Sequence, residues 1–222
     1  MFRLAVALPA ALTAILSLSA CENGLANLRK PAEPIGDFKL GFSEVVAPNL
    51  TKGPLSREAS AEEWTEAVDA AIEERFDRQT GGKYYHIGAS VEGYVLAQPG
   101  VPLVFSPKSA LVLRVTLWDD AAQAKLNAEP EQITVMEAVT AETVAGSGLT
   151  QSREEQMRNL SANAALQIEL WMRRELREKG WFGGEEAQAA AEARLAAAGD
   201  AAGGNAAAAA AAGAPARETV TE

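Results

Sequence analysis

Apolar residues recur along this chain at two spacings, and the changes of spacing divide it into elements. Phe38, Leu40 and Phe42 alternate with polar positions and lead into Val45 and Val46, so Asp37 to Ala47 predicts a first strand. Ser60 then opens a helix. Glu63 stands three residues on as a capping box, and Trp64, Val68, Ile72 and Phe76 follow at helical spacing until Thr80-Gly81-Gly82. The opposite side carries Glu62, Glu66, Glu73 and Asp77, which makes it the solvated back of a core-packing helix. Lys83 to Gln98 returns to period two, with Ile87, Ala89, Val91, Gly93 and Val95 on one face and His86, Ser90, Glu92 and Tyr94 on the other. The turn residues Pro99 to Pro102 separate this strand from Ser109 to Asp119, where Leu111, Leu113, Val115 and Leu117 point inward. Gln132 to Thr140 is the next strand, with a further one expected around Glu142 to Ala145. Ser152 and Glu155 form a second capping box, and Met157, Leu160, Ala164, Ile168, Trp171 and Leu176 stripe the longest helix down to Gly180.

The order β-α-β-β-β-α predicts an α+β fold, a mainly antiparallel sheet of about four or five strands with two helices on one face. Residues 37–184 make up this domain. Beyond it the composition changes: 19 of the 38 residues from Glu185 to Glu222 are alanine, with seven in a row from Ala206. Glu185 to Ala198 has helix propensity but hardly any large apolar side chain except Leu195, so residues 185–222 are expected to be an Ala/Gly-rich disordered C-terminal tail. Residues 21–36, mixed and polar with Pro31 and Pro34, read as a tether.

Met1 to Ala20 carries one charge, Arg3, then an uncharged run from Leu4 to Leu18 and the small residues Ser19 and Ala20. That is the layout of a secretory signal peptide, and a run of fifteen residues containing Pro9 falls short of the roughly 20 needed to span a bilayer. Leu18-Ser19-Ala20-Cys21 resembles the lipobox of bacterial lipoproteins, which implies cleavage before Cys21 and lipidation of its thiol and new amine. Two or more acyl chains anchor stably, since each buried methylene contributes roughly 0.8 kcal/mol. An ordinary signal cleaved elsewhere, leaving a spare thiol, is the alternative. Glu22, where enterobacterial inner-membrane lipoproteins carry aspartate, implies the periplasmic face of the outer membrane.

Composition narrows the chemistry. The 222 residues hold one cysteine and one histidine, so an internal disulfide and the usual His/Cys metal frameworks are excluded. A net charge of −10 argues against non-specific nucleic-acid binding. Loss of Arg3 with the signal leaves 19 basic against 30 acidic side chains. A domain of that charge beside an anionic bilayer is expected to face away from the lipid, toward protein partners.

No catalytic constellation emerges, and no cofactor or metal is expected. His86 is the only base for a triad, but there is no Gly-x-Ser-x-Gly elbow, and its strand position beside Tyr84 and Tyr85 suits a sheet surface. Asp119-Asp120 could bind a cation or act as an acid/base pair, though two aspartates also simply end a strand in water. Gly146-Ser147-Gly148 before a helix start could bind an anion, but lacks the P-loop lysine and the third glycine of a dinucleotide site. Tyr94, Lys108 and Trp118 near strand ends are candidates for a binding edge, whereas Trp64 and Trp171 belong to the core.

The phrases Gly93-Tyr94-Val95-Leu96-Ala97, Pro107-Lys108-Ser109-Ala110-Leu111 and Gly146-Ser147-Gly148-Leu149-Thr150, behind a lipobox, resemble an uncharacterised Gram-negative lipoprotein family with a domain of unknown function. Its body is similar to the amino-terminal domain of the Tol translocation protein and to auxiliary lipoproteins of envelope transporters. The resemblance spans about Phe38 to Phe182 and implies no catalytic residues. The expectation is a non-enzymatic, membrane-anchored lipoprotein that supports an envelope assembly through an unknown protein partner. A lipid- or small-hydrophobe-binding carrier is the alternative, and a hydrolase using His86 a third reading. Cys21→Ala is expected to shift the protein from the detergent phase to the aqueous phase in phase partitioning; unchanged partitioning contradicts the anchor.

Overall fold

The two spacings become the following course in the computed structural model, which describes residues 24–98, 109–137 and 152–212. A short helix, α1 (Gly24–Arg29), precedes strands β1 (Phe38–Val46) and β2 (Thr51–Lys52) and helix α2 (Ala61–Phe76). Strands β3 (Lys83–Val95), β4 (Ala110–Asp119), β5 (Ala124–Lys125) and β6 (Glu131–Met136) follow. Helix α3 (Arg153–Lys179), a 3-10 turn at Trp181–Gly183 and helix α4 (Gly184–Ala212) complete the described chain. The strand expected around Glu142 to Ala145 lies outside the described residues.

The α+β architecture is the one expected, but the sheet is mixed. β3–β4, β4–β5 and β4–β6 are antiparallel, while β1 and β2 lie parallel to β3. β1 and β2 share one lane beside β3, and β5 and β6 share one beside β4, so six strands make four lanes. The parallel lane follows from the connection: a helix, not a hairpin, joins β1 to β3, and such a crossover returns the chain in the same direction.

Both capping boxes form, at Ser60 for α2 and at Ser152 for α3, and α3 stops on Gly180 with φ 71°. The apolar stripes are fully used. Trp64, Val68, Ile72 and Phe76 are 0% exposed, and the expected α3 stripe is buried beside them against the sheet. The two helices run in the same direction, since Arg153 at the start of α3 pairs with Glu63 and Glu169 further along pairs with Arg75 near the end of α2. The Arg153 guanidinium holds the Glu63 carboxyl down at about 2, and the Ser60 backbone N–H adds to the effect.

Two register shifts correct the expected faces. β1 slips between Leu40 and Phe42, so Phe42 turns away from the core that Phe38 and Leu40 join. β3 slips between Val91 and Gly93, which brings Tyr94 inward at 4% exposed, although strict alternation placed it outward with His86. An extra residue in one strand reverses every later side chain, and period counting across it gives the wrong face.

The presumed tether is also structured where it is described. Leu28 and Ile35 are 1% and 0% exposed. Leu28 packs among Ala71, Ala162 and Ala165, a cluster separate from the main core. The carbonyls at the end of α1 and beyond it are bound by guanidiniums. Arg75 donates to Leu28 and Lys30, Arg78 to Leu28, Arg29 and Lys30, and Arg173 to Glu33 and Pro34, at 2.6–3.2 Å. Gln79 holds the Ile35 N–H at 3.1 Å and donates to the Glu33 carbonyl at 2.9 Å.

The alanine-rich segment departs from expectation at its start. Residues 184–212 form α4, whose opening turns dock: Gln188 Oε1 accepts the Gly36 N–H at 2.7 Å and Ala191 is buried. Just before it, Phe182 seals the base of the core edge-on to Phe38 and Tyr85, with centroids 5.3 and 4.9 Å away. Residues 192–199 are exposed along α4.

Glu169, buried between Arg75 and Arg173, is the residue whose loss leaves the most charge uncompensated. Glu169→Ala is expected to cost about 3–5 kcal/mol, and replacing both Arg75 and Glu169 by apolar residues less than either single change. Urea unfolding of the four members of this cycle checks it; additive losses contradict the coupling.

Candidate functional site: the open face of the sheet

α2 and α3 cover one face of the sheet, and among the described residues nothing covers the other. That face is built row by row from the register. Phe42 on β1, His86 on β3 and Trp118 on β4 are consecutive cross-strand partners, which sets three rings side by side across three lanes. Phe42 is 57% exposed and stacks on His86 with ring centroids 3.9 Å apart. The next row is Glu44, Gly88 and Thr116. Gly88 has no side chain there, so the face sinks into a hollow of about 380 Å³ lined by Phe42, Glu44, His86, Thr116, Trp118 and Asp120. A second hollow of about 290 Å³ continues past Gly88 to Ser90, Glu92 and Arg114. Tyr84 and Met136, 49% and 59% exposed, extend the apolar surface, and Lys39 Nζ lies 4.8 Å above the Tyr84 ring.

Gly41 makes the ring row possible. A Cβ there would sit 2.4 Å from His86 Cε1 and 2.5 Å from Nδ1, so a side chain at 41 would displace the imidazole. The glycine bulge also turns Phe42 outward, and both effects create the Phe42–His86 stack.

The two ring nitrogens of His86 have different surroundings. Nε2 lies 3.2 Å from Asp120 Oδ1, while Nδ1 is buried against Gly41 without a hydrogen-bond partner. Asp119 Oδ1 accepts the Ala122 N–H at 2.9 Å, so the two aspartates turn to separate tasks at the β4–β5 turn. Among the described residues no three His, Cys, Asp or Glu side chains gather to hold a metal ion. Burial, with the Asp119 and Asp37 carboxylates adding to it, pushes the Tyr85 phenol up to about 12.

Of the residues singled out from sequence, Trp118 and His86 meet on this face. Tyr94 does not: its hydroxyl bonds the Ala59 N–H and carbonyl at 2.9 Å each, pinning the loop before α2. Trp64 and Trp171 lie in the core. Cys21, Lys108 and Gly146-Ser147-Gly148 lie outside the described residues. Sequence reasoning missed Phe42 as a surface ring and the cluster of Arg75, Glu169 and Arg173. The signal for the cluster was present, since Arg75 adjoins Phe76 and Glu169 adjoins Ile168, charges set inside apolar stripes.

No family model and no curated protein matches the chain. Among solved structures it is similar to a candidate lipoprotein from Caulobacter crescentus, at 12% identity over 72% of this chain and 98% of that one, TM-score 0.36. It is also similar to a DUF330-family protein from Xanthomonas campestris, at 14% identity over 65% and 90%, TM-score 0.36. A minor lipoprotein from Acinetobacter baumannii shows 15% identity over 61% and 94%, TM-score 0.27. Among the described residues no helix is long and apolar enough to cross a membrane.

Gly41→Ala is expected to displace His86 from its place between Phe42 and Asp120. Because the chain has one histidine, its ring protons are single NMR signals, and they should lose the upfield shift caused by stacking on Phe42. Unchanged His86 shifts in a folded variant contradict this role for Gly41.

Proposed function

We propose that this protein is a lipoprotein anchored through Cys21, facing the periplasm from the outer membrane, and a non-enzymatic accessory component of an envelope assembly. One observation carries the reading: the sheet is covered on one face and presents on the other a fixed row of rings beside a shallow hollow. Partner recognition uses aromatic side chains of this kind, amphipathic and held rigid by their scaffold. The resemblance of the sequence phrases to the Tol amino-terminal domain and to transporter auxiliary lipoproteins belongs to this proposal, and with it the kind of assembly. The carrier alternative calls for a cavity between helices and sheet.

A photo-crosslinking phenylalanine analogue at position 42, in the full chain in native membranes, is expected to give a discrete adduct with one envelope protein. The same analogue at Glu73, on the exposed back of α2, should not. Adducts absent at 42, or equal at both sites, contradict the reading. A stoichiometric extracted lipid beyond the Cys21 acyl chains would replace it with the carrier.

A further inference from the structure

Residues 24–36, expected to be part of a tether, do not form a free leash. α1 lies on the outer side of α2 and α3, in contact with both helices, and its Leu28 fills the notch made by Ala71, Ala162 and Ala165. Arg75 and Arg78 donate to carbonyls at the end of α1, the natural place for cations at a helix C-terminus, and Arg173 holds those of Glu33 and Pro34 further on. The molecule therefore has three layers in order: the open-faced sheet, the α2–α3 pair, and the docked arm.

Only the step from Cys21 to Gly24 separates the proposed anchor from this arm. Three residues reach at most about 11 Å, whereas an undocked chain from Cys21 to Asp37 could reach about 55 Å. We propose that the docked arm fixes the orientation of the domain on the membrane: the α1–α2–α3 layer faces the bilayer, and the open sheet face, with Phe42, His86 and Trp118, is turned away from it. This rests on the Cys21 anchor. Helices pack about 8–10 Å apart and layers over a sheet about 10 Å, so the ring row lies roughly 20 Å beyond the arm. Glu62, Glu66 and Glu73 on the exposed back of α2 repel anionic headgroups. That repulsion extends over a Debye length of about 8 Å, within the span the leash allows, so the helical layer faces the lipid without lying in it.

The test uses the full-length acylated protein in phosphatidylethanolamine–phosphatidylglycerol vesicles. Lipid occupies the only native cysteine, so Ala70→Cys on α2 and Thr134→Cys on β6 each supply one thiol for a fluorophore. A lipid with a headgroup nitroxide is expected to quench the label at 70 several-fold more than the label at 134. Leu28→Asp with Arg78→Ala undocks the arm and should abolish that difference while the domain remains folded by circular dichroism. If that variant misfolds, a flexible Gly/Ser insert of roughly twelve residues before Gly24 lengthens the leash without touching the fold and should do the same. Equal quenching at 70 and 134 in membrane-bound protein, or a difference that survives the insert, overturns the orientation and leaves the anchor standing. Protein recovered from the aqueous phase with Cys21 unmodified overturns both.

Discussion

A buried carboxylate between two guanidiniums organises the helical side of this protein. Glu169 is 5% exposed, and a carboxylate so far from water costs several kcal/mol unless its charge is met. Arg75 on α2 and Arg173 one turn along α3 meet it, and the donors they have left over reach the carbonyls of Leu28, Lys30, Glu33 and Pro34. Helix pairing and arm docking are thereby linked through Arg75, which pairs with Glu169 across the two helices and also donates to the arm, while Arg173 ties the arm to α3. An apolar seam could pack α2 on α3 as firmly, but it would remove the donors from Arg75 and Arg173 and leave the arm to Arg78 and Gln79.

The sheet side depends on a different constraint, the placing of extra residues. The shift at Gly41 brings Phe42 beside His86, and the later shift in β3 sends Tyr94 inward to fasten the loop before α2. The first shapes the outer surface and the second locks the core. Both are backbone events, and both act by changing which face a side chain occupies rather than by changing the side chain.

Much of the domain was legible in the sequence because its signals are local. Ser60 with Glu63 and Ser152 with Glu155 mark helix starts through hydrogen bonds three residues apart, and the stripes from Trp64 to Phe76 and Met157 to Leu176 mark one buried side each. What escaped is non-local. The parallel lane depends on which strand β1 pairs with, and β2 and β5 are too short to show a period. The arm is held through its own backbone carbonyls, which carry no side-chain pattern, so a stretch with Pro31 and Pro34 reads as unattached. The ring row was half visible: His86 and Trp118 were placed outward, but Phe42 was counted with the core because alternation was carried through the bulge.

The open face has the mechanical properties that recognition needs. Phe42, His86 and Trp118 are held on adjacent strands whose opposite faces are buried side chains, so the backbone beneath them is already ordered before any partner arrives. Ordering a loop costs about 1–2 kcal/mol per residue in backbone freedom alone, and association must overcome that cost before contacts register as affinity. A sheet-borne row avoids most of it. The hollow at Gly88 adds shape without mobility, since the missing side chain belongs to a strand hydrogen-bonded on both sides. The surface is weakly concave and aromatic, with carboxylates at Glu44, Glu92 and Asp120 and a guanidinium at Arg114, so strand register alone fixes both its shape and the placing of its charges.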